Sequence, residues 1–293
     1  MLKPGFIPAL GTPLNADGSL AVESFKKHIN DQIEAGAVAL LCMGSMGQEA
    51  FIRESVYPEV AKAAVEANNG RVPLFVGAMD TSIARVKDKI APLEDLDIDG
   101  FVFTAPFYSV ATPVQIMNFY KGIAKCTKHK ILAYDLPPVA HAKITYEMVL
   151  ELIETVPNFG GIKTADTQML RKLKLNPNIP KDFVMAYSGL DTFDVAYKWG
   201  ITNCLDGMLC CTLKNTSKMF KAMENDDYTT AAECLSNIVS LRDVFAANVL
   251  WPCFTYAMNE LGYEGSFMPD YNPEITEQAK INTIAEMKRI GEL

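Results

Sequence analysis

The sequence predicts an α/β fold, a single (β/α)8 TIM barrel with additional C-terminal helices, on three observations. Short apolar runs alternate with longer amphipathic stretches through most of the 293 residues, the order of repeated strand–helix units around a parallel sheet. The runs number eight, which favours a closed barrel over a doubly wound open sheet. Runs such as AVALLCMG and GFVFTAP are almost continuously apolar, as strands covered on both faces must be.

In chain order the strands are expected at Phe6 to Leu10, Val38 to Met43, Pro73 to Gly77, Gly100 to Ala105, Ile131 to Leu136, Gly160 to Lys163, Phe183 to Ser188 and Cys204 to Leu209. Helical patterns fall between them. In Ala21 to Ala35, Phe25, Ile29 and Ile33 recur every four residues and share one face. After the eighth strand come helical patterns at Asn215 to Met223, Tyr228 to Phe245 and Ile275 to Ile290, with GYEGSFMPDYNP as a Gly- and Pro-rich loop. The expected division is a barrel over 1–213 and a helical extension over 214–293 packed on it as one unit, because no low-complexity linker separates them.

A net charge of -8 excludes nucleic acid as the main partner, since phosphate binding needs clustered Lys and Arg. Seven cysteines without zinc spacing read as reduced thiols, and His28, His129 and His141 form no ligand cluster with them, so no metal is expected. His28 and His129 read as surface residues; His141, just past YDLPP, stands where it can reach the barrel mouth, although a role there is the less common reading of such a histidine. The N-terminal stretch MLKPGFIPALGTPL is too broken by Pro and Gly for a signal peptide, and no apolar run is long enough to cross a membrane. A cytoplasmic enzyme is expected.

Active sites of such barrels lie at the C-terminal ends of the strands. Ser45 in GSMGQE, Tyr108 in APFYS, Tyr134 in AYDLPP and Lys163 in GGIK all stand there. At the end of a buried strand, desolvation favours the neutral form of the Lys163 amine, which attacks a ketone. The competing reading is a lysine whose head pairs with a carboxylate such as Asp166. Tyr134 is suited to move protons near an imine. The Gly-rich turn GSMGQE can offer backbone N–H groups to a carboxylate, or serve only as a tight turn.

With GTPLNADGS, GSMGQE, PFY, YDLP and GIK in this order, the sequence resembles the dihydrodipicolinate synthase and N-acetylneuraminate lyase family of class I aldolases along essentially its whole length. The resemblance implies a homotetramer, or a dimer, that binds pyruvate as an imine on Lys163 without a separate cofactor. Tyr134 is then the acid–base residue, Ser45 relays a proton to it, and Tyr108 completes the relay, often in a neighbouring subunit's site. The amides of Ser45 and Met46 cradle the carboxylate, while Gly189, Asp191, Val139 and Gly207 stand at further substrate-binding positions.

Three departures bear on the substrate. Met46 replaces a hydroxyl residue, Gln48 replaces a glutamate, and Val139 stands where the synthases hold a second carboxylate with arginine. An apolar side chain cannot act as a bidentate clamp. Thr192 replaces the glutamate of sialate lyases, although PFY and the YDLPPVAHAKIT spacing lie closer to that branch. The expected reaction is cleavage or formation of a 2-keto-3-deoxy acid or sialate-like sugar acid, with pyruvate and an aldehyde as the two halves. A synthase-type condensation or a dehydratase on the same imine is the alternative, and a binder that has lost turnover is the non-enzymatic one.

Overall fold

The computed structural model describes residues 2–293, and in it the eight apolar runs become eight parallel strands. These are β1 (Gly5–Pro8), β2 (Leu40–Cys42), β3 (Leu74–Gly77), β4 (Gly100–Thr104), β5 (Lys130–Asp135), β6 (Phe159–Thr164), β7 (Val184–Tyr187) and β8 (Asn203–Asp206). Hydrogen-bonded neighbours run in the order β1-β8-β7-β6-β5-β4-β3-β2. The remaining seam is closed by a parallel bridge between Ala9 and Leu41, with Val38 N–H donating to Phe6 O at 3.0 Å and Leu10 N–H to Leu41 O at 2.9 Å.

The helices are α1 (Val22–Glu34), α2 (Tyr57–Asn68), α3 (Ile83–Ile90), α4 (Pro113–Ile123), the short α5 (Pro137–Ala140), α6 (Tyr146–Thr155), α7 (Thr167–Leu175), α8 (Phe193–Lys198), α9 (Leu213–Glu224), α10 (Tyr228–Asn248), α11 (Leu250–Glu260) and α12 (Glu277–Arg289). Local chemistry sets where several begin. Thr112 and Gln115 form a reciprocal capping box at α4, with Pro113 at its first position, and Asp166 caps α7 through Met169 N–H.

Two apolar layers follow from the period of two along each strand. Ile7, Leu41, Phe75, Val102, Leu132 and Val184 point into the barrel, while their neighbours meet the helices outside. Phe25 and Ile29 of α1 are wholly buried in the outer layer, worth about 1.5–3 kcal/mol each.

Three sequence expectations change. The eighth strand stops at Asp206 instead of Leu209, because the Asp206 carboxylate accepts Met208 N–H at 2.9 Å and turns the chain into a 3-10 segment, Met208–Cys210. An unexpected helix, α11, follows an extended Val249, and Pro252 is tolerated because it falls in the first turn, where N–H groups have no helical partner.

His28 is not a surface residue. It lies fully buried on α1, with Tyr263 and Phe267 edge-on at 5.0 and 6.4 Å, and neither ring nitrogen has a hydrogen-bond partner in the chain. Burial lowers its pKa from 6.5 to about 3. The folded state therefore excludes a proton that the unfolded state binds, so stability is complete above pH 6.5 and falls as the pH drops towards 3. Urea unfolding from pH 6 to 4 should show the parent losing about 1.4 kcal/mol per pH unit more than His28→Leu; parallel pH dependences would refute this.

Candidate active site

β5 and β6 lie side by side, with Tyr134 opposite Lys163 and Asp135 opposite Thr164. Their pairing shifts between Ile131 and Leu132: Ile131 faces Phe159, whereas Leu132 faces Gly161. Gly160 is thus one extra residue, a bulge, and it changes which way the rest of β6 faces. Phe159 and Ile162 belong to the outer layer, and Gly161 and Lys163 face inward with Leu132 and Tyr134. A Cβ at Gly161 would lie 2.7 Å from both Cβ and O of Val184, so only glycine fits there.

Lys163 is consequently buried in the barrel mouth, its Nζ 4.0 Å from the centroid of the buried Tyr134 ring. Asp166 does not take the amine. It pairs instead with Lys143 at 3.0 Å, and Lys143 also pairs with Asp135. Asp135 in turn accepts Thr164 Oγ1–H at 2.8 Å and Ile144 N–H at 3.0 Å. This network ties together the strand ends that carry Tyr134 and Lys163. Across the mouth, burial pushes the Asp206 carboxyl up, while Met208 N–H and then the Lys163 charge pull it partly back.

The turn after β2 is anchored from below. The Gln48 side-chain amide donates to Thr12 O at 2.9 Å and Ser266 O at 3.3 Å, and Thr12 Oγ1–H donates to Gly47 O at 2.7 Å. Both acceptors of Gln48 are carbonyls, which explains an amide where the resemblance leads one to expect a carboxylate. Gln48→Glu should cost about 1–3 kcal/mol of stability at neutral pH, read as a lower urea midpoint; an unchanged midpoint would show that these bonds do not matter. Among the described residues, neither Ser45 N–H nor Met46 N–H is spent on a backbone hydrogen bond.

Beside the turn opens a cavity of about 230 Å³. Its apolar walls are Phe51, Met79, Phe107, Leu136, Val139 and Trp251, and its polar groups come from Ser45, Glu49 and Thr104. Thr104 is the sheet partner of Tyr134, and Met79 belongs to the same interior cluster as Tyr134, so the cavity adjoins the lysine site. Glu49 Oε1 accepts Lys89 Nζ–H at 2.7 Å, but Glu49 Oε2 and Thr104 Oγ1 are buried without a partner. Burial raises the Glu49 carboxyl to about 7 against the pull of Lys89.

The other sequence candidates scatter. Met46 lies across the mouth: a Cβ on Gly207 would meet its Cγ at 2.1 Å. Gly189 sits against the Tyr187 hydroxyl, which bonds Thr192 at 2.6 Å. Asp191 is held by both terminal nitrogens of Arg242 at 2.8 Å, a partner from α10 that the sequence did not reveal. Tyr108 is 90% exposed and does not enter the mouth of its own barrel. His141 is exposed too, closing α5 in a left-handed conformation (φ 51°).

The chain matches the dihydrodipicolinate synthetase family over residues 3–282. A relative from Salinibacter ruber named 4-hydroxy-tetrahydrodipicolinate synthase is 30% identical over 272 residues, spanning 84% of this chain and 86% of its own. One of the same name from Rhizobium meliloti is 25% identical over 88% of each chain. Among solved structures, the E. coli K12 prophage protein YagE, of the dihydrodipicolinic acid synthase family and in complex with pyruvate, superposes with a TM-score of 0.90 at 18% identity over the full length of both chains. Proteus mirabilis N-acetylneuraminate lyase gives 0.90 at 17% identity, again over both full lengths, and at that identity the likeness shows the fold alone. Family members form a Schiff base between pyruvate and a lysine and need no external cofactor. This chain belongs to the dihydrodipicolinate synthetase family, as an enzyme of the class I aldolase type.

Proposed function

We propose that the chain is a pyruvate-dependent aldolase that holds pyruvate as an imine on Lys163 and makes or breaks the bond between the pyruvate methyl carbon and an aldehyde carbon. The observation that carries this reading is the Lys163 amine, turned inward by the Gly160 bulge and set 4.0 Å over the Tyr134 ring. The amine adds to the C2 carbonyl and water leaves, giving a protonated imine. The imine withdraws the electrons of an adjacent C–H or C–C bond and leaves an enamine, dividing one hard step into easier ones.

Tyr134 moves protons at the carbinolamine and at the hydroxyl of the aldehyde half. The free N–H groups of Ser45 and Met46 receive the pyruvate carboxylate, with Gly207 close by. Ser45 and Tyr108 extend the proton path, Tyr108 from the neighbouring subunit of a homotetramer or dimer, in keeping with its exposure on a single chain. Gly189 and Asp191 are not in the lining of the cavity beside Tyr134, and Asp191 is fixed by Arg242, which weighs against either of them gripping the aldehyde half.

A synthase-type condensation is the second reading, favoured by the names of the relatives. Val139 weighs against it, since it cannot grip a second carboxylate. Sialate as the substrate has no support from the named sequence relatives.

Proton exchange tests the reading without any aldehyde. Pyruvate incubated with the enzyme in deuterium oxide should lose its methyl signal in NMR, because each enamine formed takes up a deuteron at C3. Exchange no faster than in buffer would reject the imine.

A further inference from the structure

Resting on that reading, we infer that the aldehyde half is an apolar one, aromatic or branched aliphatic, seated in the cavity beside Tyr134, and not a polyhydroxylated or anionic one. Size comes first. An apolar protein cavity of roughly 150 Å³ accepts benzene, and the cavity here measures about 230 Å³, enough for a ring carrying one substituent. Its position follows from the sheet: Thr104 in its wall is paired to Tyr134, which is paired to Lys163. A group there lies next to the carbon that the enamine attacks.

Polarity comes second. A sugar tail brings several hydroxyls, and each must find a partner on leaving water or it weakens binding. The cavity offers only the hydroxyls of Ser45 and Thr104 and one free oxygen of Glu49 among aliphatic and aromatic walls. Those groups suffice for the aldehyde oxygen and one donor on the ligand.

Charge comes third. A second carboxylate would need a cation facing the cavity, and among the described residues its lining holds no Lys or Arg, while Arg242 is engaged by Asp191 and Asp243, Lys143 by Asp135 and Asp166, and Lys89 by Glu49 and Asp80. At the rim, Phe51 and Val139 are each 48% exposed, a cost that an apolar ligand covering them removes.

In the condensing direction the pyruvate enamine carbon attacks the aldehyde carbon and forms one C–C bond. Tyr134 protonates the new alkoxide, and water hydrolyses the imine. The water lost on forming the imine is thereby returned, and a 4-hydroxy-2-oxo acid is released without an oxidant or reductant.

The experiment gives the enzyme pyruvate with benzaldehyde, isobutyraldehyde, glyceraldehyde or N-acetylmannosamine and measures product by liquid chromatography with mass detection. The first two should exceed the last two by about tenfold or more in kcat/KM, and Val139→Asp should raise KM for benzaldehyde by a similar factor. Equal or better use of the polyols, or an unchanged KM in the variant, overturns the inference. So does deuterium exchange into pyruvate with none of the aldehydes used. Absence of that exchange rejects the imine reading itself, which separates the two failures.

Discussion

Lys163→Met is expected to lower kcat/KM by at least about 10⁴-fold, as removal of a covalent nucleophile does elsewhere. The variant keeps an unbranched side chain of similar length over the Tyr134 ring, so the barrel interior stays filled and urea unfolding should change little. What disappears is the only group proposed to bond with the substrate. Lys143 and not Lys163 satisfies Asp166 and Asp135, so those carboxylates keep their partner, and the buried Asp206, which loses the Lys163 charge, still accepts Met208 N–H. Residual activity within tenfold of the parent, roughly one step of 1.4 kcal/mol in barrier, would mean that chemistry runs without this amine.

Tyr134→Phe should cost roughly 10² to 10⁴ in kcat, the usual contribution of a positioned acid–base group. The ring remains beneath the amine, so pyruvate still forms an imine, though more slowly, and the loss falls on the proton transfers. Single-turnover measurements should therefore show slowed deuterium exchange and slowed aldehyde addition together. If only aldehyde addition slows, Tyr134 serves the second half of the reaction alone; a rate matching the parent would remove it from the mechanism.

The barrel was legible because strands buried on both faces must be apolar throughout, and eight such runs stood at regular intervals. Lys163 and Tyr134 were legible as polar residues ending such runs. Their mutual position was not, since it depends on a register shift; the Gly pair in FGGIK was the available sign of a bulge.

Residues whose partners are distant in sequence were misread. His28 looked like a surface residue because the rings that bury it, Tyr263 and Phe267, belong to the loop beyond α11. Gln48 read as a lost carboxylate until its two carbonyl acceptors, 36 and 218 residues away, were in place. Trp251 was missed because it stands on α11, a helix that the apolar pattern between Phe245 and the Gly- and Pro-rich loop did not show. Asp191 was seen without Arg242, which changes it from a free ligand to a fixed one.

The most direct measurement is reduction of the enzyme with sodium borohydride in the presence of pyruvate, followed by peptide mass spectrometry. The account predicts one reduced pyruvate per chain, carried on the peptide that contains Lys163 and absent from Lys163→Met. An adduct on another lysine, or none at all under conditions where the enzyme is folded, would contradict it.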